Sequence, residues 1–248
     1  MNMSTTRVID LSKHNGSVDF TKVKAAGVSG VILRAGYGKL ASQEDPTFAS
    51  NYVAAKAAGL NVGAYWYSYA KTASEAKEEA SACLSVINGK CFEMPIYFDI
   101  EDKTQVSLGK SVCTAITIAF VSALESAGYF VGVYSYDSFF ASNLDTSIQT
   151  RYSCWVARVE NVKPTSCKTY GMWQYTWKGN INGVSGDCDV SYCYKDFPTT
   201  IKSKRLNGYT QTLYDVTATR SGVTDSELSE LTTLLTSKGF AVSKKASN

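Results

Sequence analysis

Pro95-Ile96-Tyr97-Phe98-Asp99-Ile100-Glu101 is the stretch on which the reading of this 248-residue chain turns. An apolar run ending in Asp-Ile-Glu reads as a strand over residues 94–101, with two carboxylates at i and i+2. At a rise of ~3.3 Å per residue their Cα atoms stand about 6.6 Å apart, and both side chains leave one face of the strand.

Outward from that strand, short β-rich runs alternate with amphipathic helical stretches, the pattern of parallel βα units rather than hairpins. Strands are predicted over 8–11, 30–35, 62–69, 131–136, 153–157 and 172–175, with a last short one over 187–191. Helices are predicted over 20–26, 46–58, 74–87 and 110–127. In the helix at 74–87, Ala76, Ala80, Cys83, Leu84 and Ile87 share a face. In the helix at 110–127, Val112, Ile116, Ala119, Phe120, Ala123 and Leu124 form the apolar stripe, and Gly128 ends it. Eight parallel-type strands imply a closed barrel. A (β/α)8 barrel usually takes about 250 residues, so the fold class expected is an α/β, TIM-like barrel whose second-half helices are shortened or missing. The barrel is placed at residues 1–200. Residues 201–208, polar and basic with Lys202, Lys204 and Arg205, read as a linker. Residues 209–248 read as a small β-α-β appendage: a strand over 209–219, a helix with a Thr224/Glu227 capping box and a Leu228, Leu231, Leu234, Leu235 face, and a strand over 240–243.

Composition narrows the function classes. The formal charge is +3, and no clustered stripe of Lys and Arg crosses the first 200 residues, so no nucleic-acid partner is expected. No stretch approaches the ~20 apolar residues of a spanning helix, so no membrane insertion is expected. The polar start, Met1 to Arg7, has no basic and apolar leader pattern. Seven cysteines without a Cys-x-x-Cys, and the single histidine His14, give no metal-ligand spacing. No metal and no cofactor are expected, and the thiols are read as reduced. Cys188 and Cys193 lie close in sequence, which leaves open whether they pair on oxidation.

The chemistry lies at the strand ends. Carboxylates as close as Asp99 and Glu101 cannot both ionise freely, so one keeps its proton near neutral pH. An acid beside an anion suits glycosidic cleavage, where one protonates the leaving oxygen and the other steadies or attacks an oxocarbenium-like centre. Solvated strand-end charges are the competing reading of the same two residues. Asp10 ends the first strand and Asp189 sits in the last, so four acids are expected at one barrel mouth, with Asp187 competing for the final place. Tyr65, Trp66, Tyr67 and Tyr69 crowd the third strand, Tyr134 and Tyr136 the fifth, Trp155 the sixth, and Trp173, Tyr175 and Trp177 the seventh. Aromatic faces pack on sugar rings, so about half of these are expected in an oligosaccharide cleft and the rest in the core.

The runs Val8-Ile9-Asp10-Leu11-Ser12-Lys13-His14-Asn15-Gly16, Gly63-Ala64-Tyr65-Trp66-Tyr67, Phe98-Asp99-Ile100-Glu101, Gly132-Val133-Tyr134, Trp155-Val156-Ala157 and Trp173-Gln174-Tyr175 together resemble glycoside hydrolase family 25, the lysozymes (N-acetylmuramidases) of bacteria, phages and fungi. The resemblance covers about residues 7–198. It implies hydrolysis of the β-1,4 bond between N-acetylmuramic acid and N-acetylglucosamine in bacterial peptidoglycan, with Glu101 as general acid and Asp99 as its anionic partner. Asp10 and Asp189 would shape the field and the substrate's acetamido group. Tyr65, Tyr67, Tyr134, Trp155, Trp173, Gln174 and Arg34 would bind substrate, and His14 has no assigned role. Ser191 stands where the family often has Asn. The stereochemistry stays open among a covalent intermediate, direct water attack and attack by the substrate's own acetamido oxygen positioned by Asp99, with a lean to the last. A chitinase-like N-acetylglucosaminide hydrolase and a non-catalytic glycan-binding barrel are the alternatives. The absence of a leader and the resemblance to phage endolysins imply synthesis in a host cytoplasm and action on the wall after release. The 209–248 appendage is read as a wall-binding or self-association module, the latter making a homo-oligomer.

Overall fold

The computed structural model describes residues 5–159, 162–210 and 222–237. The chain divides into two compact units, Met1–Thr210 and Gln211–Asn248. In the first, eight strands close into a barrel in sequence order: β1 (Thr6–Leu11), β2 (Val28–Tyr37), β3 (Asn61–Tyr67), β4 (Ile96–Asp99), β5 (Val131–Tyr136), β6 (Ser153–Ala157), β7 (Tyr170–Gly179) and β8 (Cys188–Cys193). The helices are α1 (Phe20–Ala25), α2 (Phe48–Ala57), α3 (Ala73–Ile87), α4 (Lys103–Val106), α5 (Lys110–Ser126), α6 (Asp137–Ser142), α7 (Thr146–Arg151) and α8 (Phe197–Ser203), with α9 (Asp225–Ser237) in the second unit.

Seven strands run parallel as predicted, but β8 is antiparallel to both β7 and β1. The connection 180–187 explains the reversal, since a parallel return needs a dozen residues or more. The second half is thin, as expected: α6 and α7 have six residues each, and no helix joins β6 to β7 among the described residues.

Apolar residues form two layers. Between sheet and helices, Phe98 of β4 stacks on Phe120 of α5 with ring centroids 4.4 Å apart. The predicted α5 stripe holds at Ile116, Phe120 and Leu124, whereas Val112 is exposed and Cys113 is buried in its stead. Gly128 follows α5 at φ 85°, the left-handed conformation that suits glycine after a helix end. Inside the barrel, Val8, Ile32, Met94, Tyr97, Trp155 and Met172 pack together. Gly132 makes room for them: a Cβ there would sit 2.4 Å from the Tyr97 ring.

Residues 201–208 are not a linker. α8 buries Phe197 and Ile201 under the barrel. Asn207, at φ 56°, closes the same end: its amide nitrogen donates to the carbonyls of Met94 (2.9 Å) and Phe92 (3.3 Å), and its carbonyl oxygen accepts from the Phe130 N–H (2.6 Å). Asparagine tolerates that backbone better than most residues. Composition alone hid this, because within 201–208 the apolar anchors are only Ile201 and Leu206. In the second unit α9 begins at the predicted capping box, with Thr224 N–H donating to Glu227 (2.9 Å) and Glu227 N–H donating to the Thr224 hydroxyl (3.3 Å). The strand predicted over 209–219 leaves the described residues at 211, and the one over 240–243 lies outside them.

Candidate active site

β4 ends at Asp99, two residues sooner than predicted, so Glu101 stands just beyond the strand rather than in it. The exit is fixed by backbone pairing on both sides. Ser68 N–H donates to the Asp99 carbonyl (2.9 Å), Ile100 N–H donates to the Tyr134 carbonyl (3.1 Å), and the Ser135 hydroxyl donates to the Ile100 carbonyl. β1 and β8 bring the other two acids in: Asp10 lies directly opposite Asp189 in the antiparallel ladder. Directly opposed residues share a face at about 4.5–5.5 Å between Cβ atoms. Asp187, the rival for this place, is exposed on the preceding turn.

Asp10 interacts with Asp189, Asp99 and Glu101, and Glu101 with Asp99 and Asp189, and all four are pushed above the ordinary carboxylate range. Burial is the largest cause at Asp10 (8% exposed), followed by the Asp189 charge; the Gln174 hydrogen bond opposes them and a hydrogen bond to Asp189 adds to them, so the pair shares a proton. Asp189 itself is pushed up to about 6 by burial, tempered by the Asp10 hydrogen bond. Burial raises Asp99 (4% exposed), the charges of Glu101 and Asp10 add to it, and Arg34 opposes. Burial brings Glu101 to about 7, against hydrogen bonds with the Tyr136 and Tyr134 hydroxyls that lower it. Among the described residues, Oδ1 of Asp99 and Oε2 of Glu101 are buried without a hydrogen-bond partner. No group of three or more His, Cys, Asp or Glu among the described residues could hold a metal ion.

The supporting residues form a connected shell. Gln174 donates to Asp10 (2.9 Å), and its carbonyl oxygen accepts from the Tyr134 hydroxyl (2.9 Å) and from Trp177 Nε1 (3.0 Å). Tyr65 feels the Asp10 and Asp99 charges, and Tyr67 feels those of Asp99 and Glu101 while donating to Asp102 (3.3 Å). Arg34 is held by a second acid: its guanidinium pairs with buried Asp45 at 2.6 and 2.7 Å, which leaves a fixed positive charge near Asp99.

Two of the expected substrate-binding residues stand elsewhere. Trp173 alternates with the inward Gln174 and so faces out of the barrel, where it packs against Tyr175 and Tyr192 and donates to the Arg158 carbonyl (2.7 Å). Trp155 faces in but is buried beneath the mouth, packed on Tyr97 and Tyr134 and donating to the Ser191 hydroxyl (3.0 Å). Their place beside the acids is taken by Tyr136 (37% exposed) and Trp177 (45% exposed), edge-to-face at 6.3 Å. With Asp137, Ser138, Ala157 and Arg158 they line an open groove of about 430 Å³. Both were visible in sequence as members of the strand-end aromatic cluster. Asp45 carried no signal, being one of two adjacent acids before a proline, just ahead of a stretch read as a helix.

The glycosyl hydrolases family 25 model matches residues 9–184. The chain is 32% identical over 184 residues to the autolytic lysozyme of Clostridium acetobutylicum, covering 73% of this chain and 54% of that protein. Among solved structures, the modular autolysin LytC from Streptococcus pneumoniae superposes with a TM-score of 0.69 at 30% identity, over 77% of this chain and 47% of that one. LytC has also been solved in complex with a synthetic peptidoglycan ligand. The CTP1L endolysin superposes with a TM-score of 0.68 at 29% identity, over 80% of this chain and 70% of that one. The chain thus spans about half the length of the autolytic lysozyme and of LytC. From residue 9 to residue 184, through all four carboxylates but Asp189, the chain belongs to glycosyl hydrolases family 25.

Proposed function

We propose that the chain is a peptidoglycan hydrolase that cuts the β-1,4 bond between N-acetylmuramic acid and N-acetylglucosamine. The observation that carries the reading is Glu101, a carboxyl group with its pKa raised to about 7, beside three further acids and next to Tyr136 of the open groove. Such a group holds a proton at the pH where the reaction runs and can give it to the departing glycosidic oxygen. The autolysin and lysozyme names of the relatives, and the peptidoglycan ligand of LytC, support the substrate class.

In this reading Asp99 acts late. Burial makes its carboxyl hard to ionise, but positive charge developing on the sugar ring lowers its pKa. Its proton then passes to solvent, and the anion left behind stands where little water screens it, so stabilisation there is large. Asp99 also has an unpartnered oxygen to accept the acetamido N–H, which suits attack by the acetamido oxygen. Asp10 and Asp189 hold one proton between them and, through Gln174, fix the Tyr134 hydroxyl against Glu101.

Borohydride labelling of digested wall tests the reading. Muramitol at the new ends is the expected product. Glucosaminitol assigns the other bond, digestion of chitin but not of wall assigns a chitinase-like enzyme, and wall lysis undiminished by Glu101→Gln removes the catalytic role.

Residues 209–248 are assigned to self-association, on the support of α9, whose Leu231, Leu234 and Leu235 are 37–56% exposed. A sedimentation mass of one chain overturns that assignment. As with an endolysin, the chain is read as accumulating inside a host cell and reaching the wall after release, and its export from intact growing cells would contradict this.

A further inference from the structure

None of the seven cysteines is joined in a disulfide. Three donate to a nearby carbonyl: Cys91 to Gly208 (3.3 Å), Cys113 to Gln105 (3.3 Å) and Cys193 to Lys195 (3.3 Å). Cys188 and Cys193, neighbours in sequence, stand at opposite ends of β8. Five residues of strand separate them by about 16 Å. A disulfide needs Cα atoms within about 7 Å, so these two do not pair.

Cys154 and Cys167 are different. Besides reaching the Tyr152 carbonyl (3.8 Å) and the Thr169 carbonyl (3.7 Å), their side chains hydrogen-bond each other, and both residues are fully buried. Cys154 lies in β6 next to Trp155 and pairs across the ladder with Tyr170 of β7, three residues beyond Cys167. The connection that carries Cys167 is fastened to the barrel through Asp137, which accepts from Arg158 Nη1 (2.6 Å), Thr165 N–H (3.2 Å) and Ser166 N–H (3.0 Å). The same Asp137 and Arg158 line the groove beside Tyr136 and Trp177.

We propose that Cys154 and Cys167 are an oxidation site, at which a low-molecular-weight disulfide converts the facing thiols to an intramolecular disulfide that ties the β6–β7 connection to the barrel wall beside the groove. Cys167 is the attacking group, since the hydrogen bond from Cys154 lowers its pKa by more than burial raises it. Its sulfur becomes reachable when the connection opens locally. The Cys167 thiolate displaces one thiolate from oxidised glutathione and forms a mixed disulfide. Cys154 then loses its proton, attacks the Cys167 sulfur and expels the second glutathione. Two protein thiols give up two electrons and two protons, and one glutathione disulfide becomes two glutathione thiols.

The experiment equilibrates the intact chain with oxidised glutathione, quenches it with acid, then unfolds and alkylates it for mass analysis. Five alkylated cysteines are expected, with one cross-link between the peptides that contain Cys154 and Cys167. The closed loop is short, and for a domain of this size the oxidised form is expected to melt about 6–12 °C above the reduced form. In Cys167→Ser the difference between oxidised and reduced samples is expected to vanish, a comparison made within one variant and so independent of its own stability. Seven alkylated cysteines, a glutathione adduct without a cross-link, or a cross-link between any other pair overturns the proposal.

Discussion

The two ends of the barrel bury acids to the same depth and treat them oppositely. At the closed end Glu93 is 6% exposed, close to the 4% of Asp99 at the mouth. Burial pushes both upward, yet Glu93 ends below the ordinary range because Lys56, the Tyr209 hydroxyl and the Val62 N–H (3.1 Å) all donate to it. Asp99 receives no such donors, keeps Oδ1 unpartnered and has two like charges beside it. Burial is common to both ends, so the supply of partners decides which carboxyl keeps its proton. The closed end satisfies its polar groups from within the chain; the mouth leaves them to a substrate.

The sharpest way to break that comparison is to remove one acid from each end. Glu101→Gln is expected to slow wall hydrolysis by about 10³-fold or more, as loss of a positioned general acid does. The same change removes a carboxyl that ionises poorly when folded, so at pH 8 it is expected to stabilise the fold by about 1–3 kcal/mol. Glu93→Gln is expected to do the reverse: to leave the rate unchanged and destabilise by about 1–3 kcal/mol, because Lys56 loses its anion. Paired rate measurements and denaturant titrations check both, and equal signs of the two stability changes would refute the contrast.

Titration sharpens it further. Glu101 must be protonated to act, so activity is expected to fall as pH rises through about 7. The Asp10–Asp189 pair must keep its negative charge, so activity is expected to fall as pH drops through about 6. For stability the sign follows from proton binding. Between the unfolded value near 4.5 and the folded value near 7, native Glu101 binds more protons than the unfolded chain does, so stability falls as pH rises across that window. Glu93 is shifted the other way: its contribution is present above its unfolded value and is lost as pH falls through its lower folded value. Melting temperatures from pH 4.5 to 8 are expected to decline for the natural chain and to decline less steeply for Glu101→Gln.

How far the sequence carries this picture depends on which end is read. Glu101, Asp99 and Asp10 were legible because each sits at or next to the end of an apolar run, and Asp189 because it falls in the last short strand. Gln174 was reachable through its motif. The direction of β8 left no mark in its periodicity, which is the same for parallel and antiparallel strands, although the shortness of 180–187 was a usable signal. Trp155 and Trp173 were chosen over Tyr136 and Trp177 because residue type does not tell a ring beneath the mouth, or one turned outward by alternation, from one at its rim. At the closed end almost nothing was legible. Asn207 has the composition of a loop, and its role exists only through Phe92, Met94 and Phe130, which are remote in sequence. Asn207→Ala strips the partners from three buried backbone groups and is expected to destabilise by about 2–4 kcal/mol without moving the pH profile. A shifted profile would show that the two ends are coupled.

The smallest effect on activity comes from the pair of tryptophans that sequence could not separate. Trp155 is 2% exposed, and truncating it to Ala opens a cavity between Tyr97 and Tyr134, with an expected loss of about 3–5 kcal/mol in stability. Trp177 is half open to solvent, so Trp177→Ala is expected to leave the melting temperature nearly unchanged and to raise KM for wall fragments about 5–10-fold, the worth of roughly one aromatic contact. Trp177 also donates to Gln174, which supports Asp10, so Trp177→Phe divides the two roles. If the ring face binds sugar, Phe restores KM. If the N–H matters through Gln174, Phe behaves like Ala and its defect falls on kcat, since the shared proton of Asp10 and Asp189 then loses its orientation while the groove keeps its wall.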